Sequence, residues 1–301
     1  MVEKDSTWTV YELGLPKVYA IIPTIFTVMI IVNNILVMVT LSKVNRKSFQ
    51  DIFIMALAAA DLVTSLNMTV ASGTFMTGYA VITDEICALY AVSTVASVST
   101  TTWLHSVICI EKCLSIVKPV WHKLFVEKRT AHHLMKTTLV ITFIFPMVYF
   151  WVLVTSDVIK PTFTPLVAGC SIVIDWRSIV SIYILFFVIP LTTELVTHAL
   201  IVRQIRKLDA RRKKSTMKAY KTVMLTVGVY YLCTVPLSIT LAARAAFIDI
   251  PIFIEYAANE ALLFNSAVNF WIYLTTLPRF QEHFKTITPK CVTLSCIVHP
   301  Q

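Results

Sequence analysis

Residues 18–42 read VYAIIPTIFTVMIIVNNILVMVTLS, a run without a single charge. A helix of about 20 such residues, rising about 1.5 Å per residue, crosses the hydrocarbon core of a bilayer. The stretch therefore predicts a membrane span. Further runs follow at 52–83, interrupted only by Asp61, and at 86–110, 137–156, 178–202 (with Glu194 and His198), 222–243 and 256–278 (with Glu260), which makes seven. A composition of 57% hydrophobic and 14% charged residues, with five glycines in 301, leaves no water-soluble domain to account for. The expected fold is all-α: a seven-transmembrane helix bundle over 18–278, an extracellular N-terminus over 1–17, and a short amphipathic cytoplasmic helix with its tail over 279–301.

The net charge of +9 would suit a nucleic-acid partner, but the placement of the charges argues otherwise. Basic residues cluster after the first, third, fifth and seventh runs, where 21 of the 26 fall on one face. Positive residues are retained on the cytoplasmic side of a membrane, so the N-terminus is expected outside and the C-terminus inside. The basic stripe reads as topology and contact with anionic lipid, not with nucleic acid. Glu3, Asp5 and Glu12 do not suit the basic start of a cleaved signal peptide, and the first span is expected to serve as its own insertion signal. The triplet Asn67-Met68-Thr69 has the form of a glycosylation acceptor but falls inside the second run, out of reach of that modification.

Polar groups inside a membrane helix are costly and usually face the bundle interior. Asn34, Asp61, Thr101, Asn265, Ser266 and Asn269 are such groups. A carboxylate among neutral oxygen donors suits a small hard cation such as sodium. A hydrogen-bond network around a protonated Asp61 suits the same residues, and the sequence leaves both readings open. Cys87 and Cys170 both fall on the oxidising side and can pair in a disulfide that ties a loop over the bundle. Cys109, Cys113 and Cys233 read as buried small side chains. Cys291 and Cys296 follow the seventh span, either as palmitoylation sites or as free thiols. Phe280, Phe284 and Ile287 recur at helical spacing beyond Pro278, between charged residues, as in a helix lying on the membrane surface. Pro146, Pro190 and Pro236 predict kinks in spans four, five and six.

Taken in order, these landmarks resemble those of the rhodopsin-like (class A) G-protein-coupled receptors over residues 18–288. Asn33-Asn34-Ile35-Leu36-Val37 resembles the first-helix Gly-Asn-x-Leu-Val, and Leu57-Ala58-Ala59-Ala60-Asp61 resembles the second-helix Leu-Ala-x-Ala-Asp. Glu111-Lys112-Cys113 stands where the family has Asp-Arg-Tyr, with Pro119 following at the usual interval. Pro190 matches the fifth-helix proline; Cys233-Thr234-Val235-Pro236 resembles Cys-Trp-x-Pro, and Asn269-Phe270-Trp271-Ile272-Tyr273 resembles Asn-Pro-x-x-Tyr. The resemblance implies a Cys87–Cys170 disulfide and a sodium pocket of Asp61, Thr101, Asn265, Ser266 and Asn269. It also implies a G-protein-facing switch of Glu111, Lys112, Cys113, His198, Asn269 and Tyr273.

The departures bear on function. Lys112 replaces the family's arginine, Cys113 the tyrosine after it, Thr234 the toggle tryptophan, Phe270 the seventh-helix proline and His198 the fifth-helix tyrosine. Trp151 comes too late to be the family's fourth-helix tryptophan. Thr94 stands where amine receptors carry an aspartate, and Leu263 where opsins carry the Schiff-base lysine. The implied ligand is neither a monoamine nor retinal. By the same resemblance the outer cavity is lined by Thr94, Val98, Tyr183, Phe186, Leu237, Ser238, Leu241, Arg244, Asn259 and Leu263, an apolar pocket with hydroxyls and one cation. Plain helix packing accounts equally for its apolar members.

A receptor for an extracellular ligand that signals weakly to a heterotrimeric G protein is the expected function, with a non-coupling partner or decoy as the alternative and a transporter or channel as a remote one. A transporter would show internal repeats and glycine-rich broken helices, which the sequence lacks. An enzyme would need clustered His or carboxylate chemistry at one depth, yet the adjacent His132 and His133 fall in a cytoplasmic loop.

Overall fold

The computed structural model of the chain describes residues 9–12, 21–45, 47–77, 79–82, 84–125, 128–156, 160–164, 169–173, 184–207, 210–246 and 248–287. The first span is α1 (Ile21–Ser42), with Pro23 in its opening turn, where the missing N–H would have had no helical partner anyway. It ends where Ser42 Oγ turns back to the Val39 carbonyl, at 2.7 Å. The second is α2 (Phe49–Thr77), opened by a reciprocal cap. Here the Ser48 N–H donates to Asp51 Oδ2 at 2.7 Å and the Asp51 N–H to Ser48 Oγ at 3.2 Å.

The third span, α3 (Asp84–Val117), has 34 residues and is about 51 Å long. It overruns the bilayer, so Glu111 and Lys112 stand on a helical extension at its far end. A short α4 (Pro119–Phe125) follows. Many hydroxyls lie along α3, and they are tolerated because they bond back to carbonyls one turn earlier, as Ser99 does to Val95 and Thr100 to Ala96.

The prolines act in two ways. The fourth span runs from α5 (Lys128–Leu139) through a π-helical turn (Val140–Ile144) into α6 (Phe145–Thr155), so a widened turn immediately precedes Pro146. The fifth has the same device, a π turn at Ile184–Val188 ahead of Pro190 in α7 (Ile189–Arg206). In the sixth, Pro236 sits inside an uninterrupted α8 (Ala210–Ala245). The seventh is α9 (Ile252–Thr276), followed by the surface helix α10 (Pro278–Ile287), whose Phe280 and Phe284 are buried.

The chain is not purely helical. Strand β1 (Thr9–Glu12) pairs antiparallel with β2 (Tyr79–Ile82), and β3 (Lys160–Thr164) with β4 (Gly169–Val173). The run expected to be helical over 52–83 therefore leaves the helix at Thr77 and turns into a strand. Tyr79-Ala80-Val81-Ile82 is apolar, and a short apolar run has no period that tells strand from helix. Part of the expected N-terminal tail is likewise a strand, placed by its pairing with β2.

Among the described residues, Ile21–Ser42, Phe49–Thr69 and Thr130–Tyr149 are apolar and long enough to cross a membrane by composition alone. The other spans carry more polar residues, and in α3 and α9 many of these are buried against neighbouring helices. The outward faces of α1 and α6 expose Ile25, Val28, Val32, Val148 and Val152, as a lipid-facing surface does.

Candidate functional site

Three polar groupings lie along the bundle. The first surrounds Asp61, which α2 holds with none of its surface exposed. Ser266 Oγ donates to Asp61 Oδ1 at 2.7 Å and Asn269 Nδ2 to Oδ2 at 3.0 Å, joining α2 to α9. The first helix holds the same stretch of α9 by its backbone: Asn34 Nδ2 reaches the Ser266 carbonyl at 3.3 Å, and Asn33 Nδ2 the Ala267 carbonyl at 2.7 Å. Of the five residues expected to converge, Asp61, Ser266 and Asn269 are bonded together. Thr101 and Asn265 are buried but make no hydrogen bond to Asp61 among the described contacts, and the Oδ1 atoms of Asn265 and Asn269 are buried without partners. Asn33, which stands for the family's glycine, is an addition to the interhelical bonding and not merely a tolerated change.

The second grouping is at the end where the basic residues gather. Glu111 is buried, with Lys112 Nζ 3.2 Å from Oε2 and His122 Nε2 2.8 Å from Oε1. His122 comes from α4, which the turn at Lys118-Pro119 folds back under α3. Its part was not legible in the sequence, where nothing ties a histidine eleven positions on to Glu111. His198 of α7 is hydrogen-bonded through Nδ1 to the Tyr220 hydroxyl of α8. Cys113 is buried among Ile201, Ile205, Tyr220 and Val227, the small side chain that lets α7 and α8 close on α3. Tyr273 is buried with its hydroxyl unpartnered. Phe270, in place of a proline, leaves α9 unbroken, and its ring meets Phe280 at 5.9 Å and Phe284 at 5.4 Å, docking α10 on the bundle. Arg279 NH1 adds a contact at 3.5 Å to Asp51, exposed enough to contribute little. A small cavity between these ends is lined by Gln50, Ile54, His105, Thr226 and Tyr273, among others.

The third grouping is the expected outer cavity, which the described residues cover only in part. Thr94 is bonded into the wall: its hydroxyl accepts from Asn67 Nδ2 at 3.1 Å and donates to the Tyr90 carbonyl at 2.8 Å. Asn67, first residue of the glycosylation-type triplet, is thus a bridge between α2 and α3, with Ser93 donating to its Oδ1 at 3.0 Å. Val98 and Leu237 are half-buried, Ser238 is buried with its hydroxyl unpartnered, and Asn259 is exposed. Leu263 packs with Ile30, Ala267 and Met68, against the first two helices. Tyr183 and the side chains of Phe186, Leu241 and Arg244 lie outside the described residues, as do Cys291 and Cys296. Cys87 is disulfide-bonded. The strand that carries Cys170, β4, packs against α3, while the Cys170 side chain is outside the described residues.

A family model described as 7 transmembrane receptor (rhodopsin family) matches residues 33–273, four-fifths of the chain. The chain belongs to that family. It is a multi-pass plasma-membrane receptor of G-protein-coupled type, built as a seven-transmembrane bundle. Among curated proteins no relative matches it. In this receptor the Asp61 grouping keeps the family's residue types, whereas the grouping around Glu111 and His198 is assembled from residues that depart from them.

Proposed function

We propose that the receptor senses an extracellular ligand that is neither a monoamine nor retinal, and that it couples weakly to a cytoplasmic G protein. The observation that carries this is the state of Lys112 and Glu111. Glu111 is taken up by its own neighbour and by His122, so the basic residue of the motif is held locally on α3. Arginine could bridge to a second partner through its planar fork, whereas lysine is a compact point charge. At the same end of the bundle, α7 and α8 are joined by the His198–Tyr220 bond, which involves neither Glu111 nor Lys112. The Thr94 hydroxyl, engaged with Asn67, offers no charge to an amine. The N-terminus is taken as extracellular and the C-terminus as cytoplasmic, from the basic residues.

Asp61 with Ser266 and Asn269 would hold a sodium ion, for which the unpartnered Oδ1 atoms of Asn265 and Asn269 supply oxygen donors of the right hardness. Thermal unfolding in sodium against choline chloride checks this: the sodium increment should vanish in Asp61→Asn. Cys170 is the partner we assign to Cys87. Mass spectrometry of the non-reduced protein should return the linked peptides, and a different partner would remove the tie over the cavity.

Coupling is tested by measuring activation of each main G-protein class, basal and stimulated by candidate ligands. Weak wild-type activation that rises in Lys112→Arg is expected. High wild-type activation, unchanged or lowered by that substitution, would overturn the proposal. No activation by either form would favour a partner or decoy role, consistent with the aromatic packing of Phe270 that fixes α9 to α10.

A further inference from the structure

Glu194 lies on α7 between Pro190 and His198, one turn from each, and is fully buried. Its Oε1 is 3.0 Å from Ser106 Oγ on α3, and its Oε2 is buried with no partner. Ser106 Oγ also lies 3.2 Å from the Pro190 carbonyl and 3.2 Å from the Thr102 carbonyl. A serine hydroxyl has one proton to donate and lone pairs with which to accept. An ionised Glu194 would have to compete with two carbonyls for that single proton, and its other oxygen would receive nothing. With a proton on Oε1 the competition ends: Glu194 donates to Ser106 Oγ, Ser106 donates onward to a carbonyl, and the unpartnered Oε2 is an uncharged carbonyl oxygen, cheaper to leave bare than half of a carboxylate.

The surroundings supply no counter-charge. Among the described residues no lysine or arginine is paired with Glu194. The titratable groups packed about it are Cys109 on α3 and Tyr230 and Tyr231 on α8, with His198 a turn further along α7. His105, beside Ser106, lies tilted against the Tyr230 ring at 4.8 Å with Nε2 unpartnered, and Tyr230 donates to Thr102 Oγ1 at 2.8 Å. A carboxylate in a membrane interior without cation or multiple donors is expensive, whereas the neutral acid is an ordinary donor.

We propose that Glu194 and Ser106 form a proton-binding site in the bundle core, separate from the Asp61 pocket, whose occupancy holds α3 against α7. The proposal requires the bound proton to exchange with solvent; the described void nearest the pair is the small cavity lined by His105, next in sequence to Ser106, and by Gln50. Release of the proton leaves a carboxylate beside Ser106 and loosens the contact between the two helices. The resting arrangement therefore weakens as pH rises. This rests on the bundle alone and stands whether or not the receptor couples to a G protein.

The test is infrared difference spectroscopy of the full chain in lipid nanodiscs across a pH titration. A protonated-carboxyl stretch is expected in the wild type, retained in Asp61→Asn, lost in Glu194→Gln and shifted in Ser106→Ala. A Glu194→Gln spectrum unchanged in that region would overturn the proposal. Should Glu194→Gln fail to fold, Ser106→Ala keeps the acid, and an unmoved band there overturns it equally. Thermal unfolding gives a second readout: wild type loses stability toward alkaline pH, while Glu194→Gln loses that dependence. A stabilisation by sodium over choline that survives in Asp61→Asn and disappears in Glu194→Gln would overturn it too, by assigning the site to a metal ion.

Discussion

The region around Asp61 and the region between α3, α7 and α8 sit in one bundle but are held together differently. Around Asp61, direct side-chain bonds to Ser266 and Asn269, with the amides of Asn33 and Asn34 on backbone carbonyls, fasten α1 and α2 to α9. Between α3, α7 and α8, contact is made by polar pairs spread along the helices beside an apolar cluster: Glu194 with Ser106, His198 with Tyr220, Tyr230 with Thr102, and Tyr231 with the Leu191 carbonyl. Several bonds converging on one stretch of α9 make a fixed joint. Isolated pairs can be exchanged one at a time, which is what helices that shift against one another require. On the function proposed above, the first region would maintain the bundle and the second would set how readily it opens.

Substitutions separate the two. Phe270→Ala should show the largest effect, because it removes a buried ring from the packing of α9 on α10 and leaves a cavity. A loss of about 3–5 kcal/mol is expected in thermal or denaturant unfolding of the purified receptor. Asp61→Ala comes next: it orphans the Ser266 hydroxyl and the Asn269 amide, and each unsatisfied group costs about 1–3 kcal/mol, with membrane hydrogen bonds toward the low end. Should Asp61→Ala unfold no more easily than wild type, the first region would not be the fixed joint. A double-mutant cycle of His198→Phe with Tyr220→Phe should give a coupling of about 0.6 kcal/mol, together with raised basal signalling as α7 and α8 part. Equal coupling in this pair and in Asp61 with Asn269 would erase the contrast. Smallest in stability is Lys112→Arg, within about 0.5 kcal/mol of wild type since Lys112 is partly exposed, while stimulated signalling rises.

Much of this architecture is legible in the sequence. Apolar run lengths fixed the number of spans, and the distribution of lysine and arginine pointed to one cytoplasmic face. Asp61, Ser266 and Asn269 stood out because a polar residue in lipid needs a partner. Residues whose role depends on another helix were not legible. Glu194 was visible as an interruption in the fifth run, but Ser106 was one of many hydroxyls on α3, each able to satisfy itself on its own backbone. Tyr220 stands within a basic stretch, just before Lys221, and gave no sign of facing His198.

The physical reason is a difference in range. Hydropathy and charge act on the chain locally, through transfer of each segment between water and lipid, so the sequence by itself determined the spans and the family pattern, though not where each helix ends. Which side chains meet depends on how far each helix is rotated about its own axis and where π turns offset it, at Val140–Ile144 and Ile184–Val188. Those quantities are set by packing among all the helices together. Only the tertiary structure decided that Glu111 faces His122, that Glu194 faces Ser106, and that the apolar residues 79–82 leave the bundle as a strand.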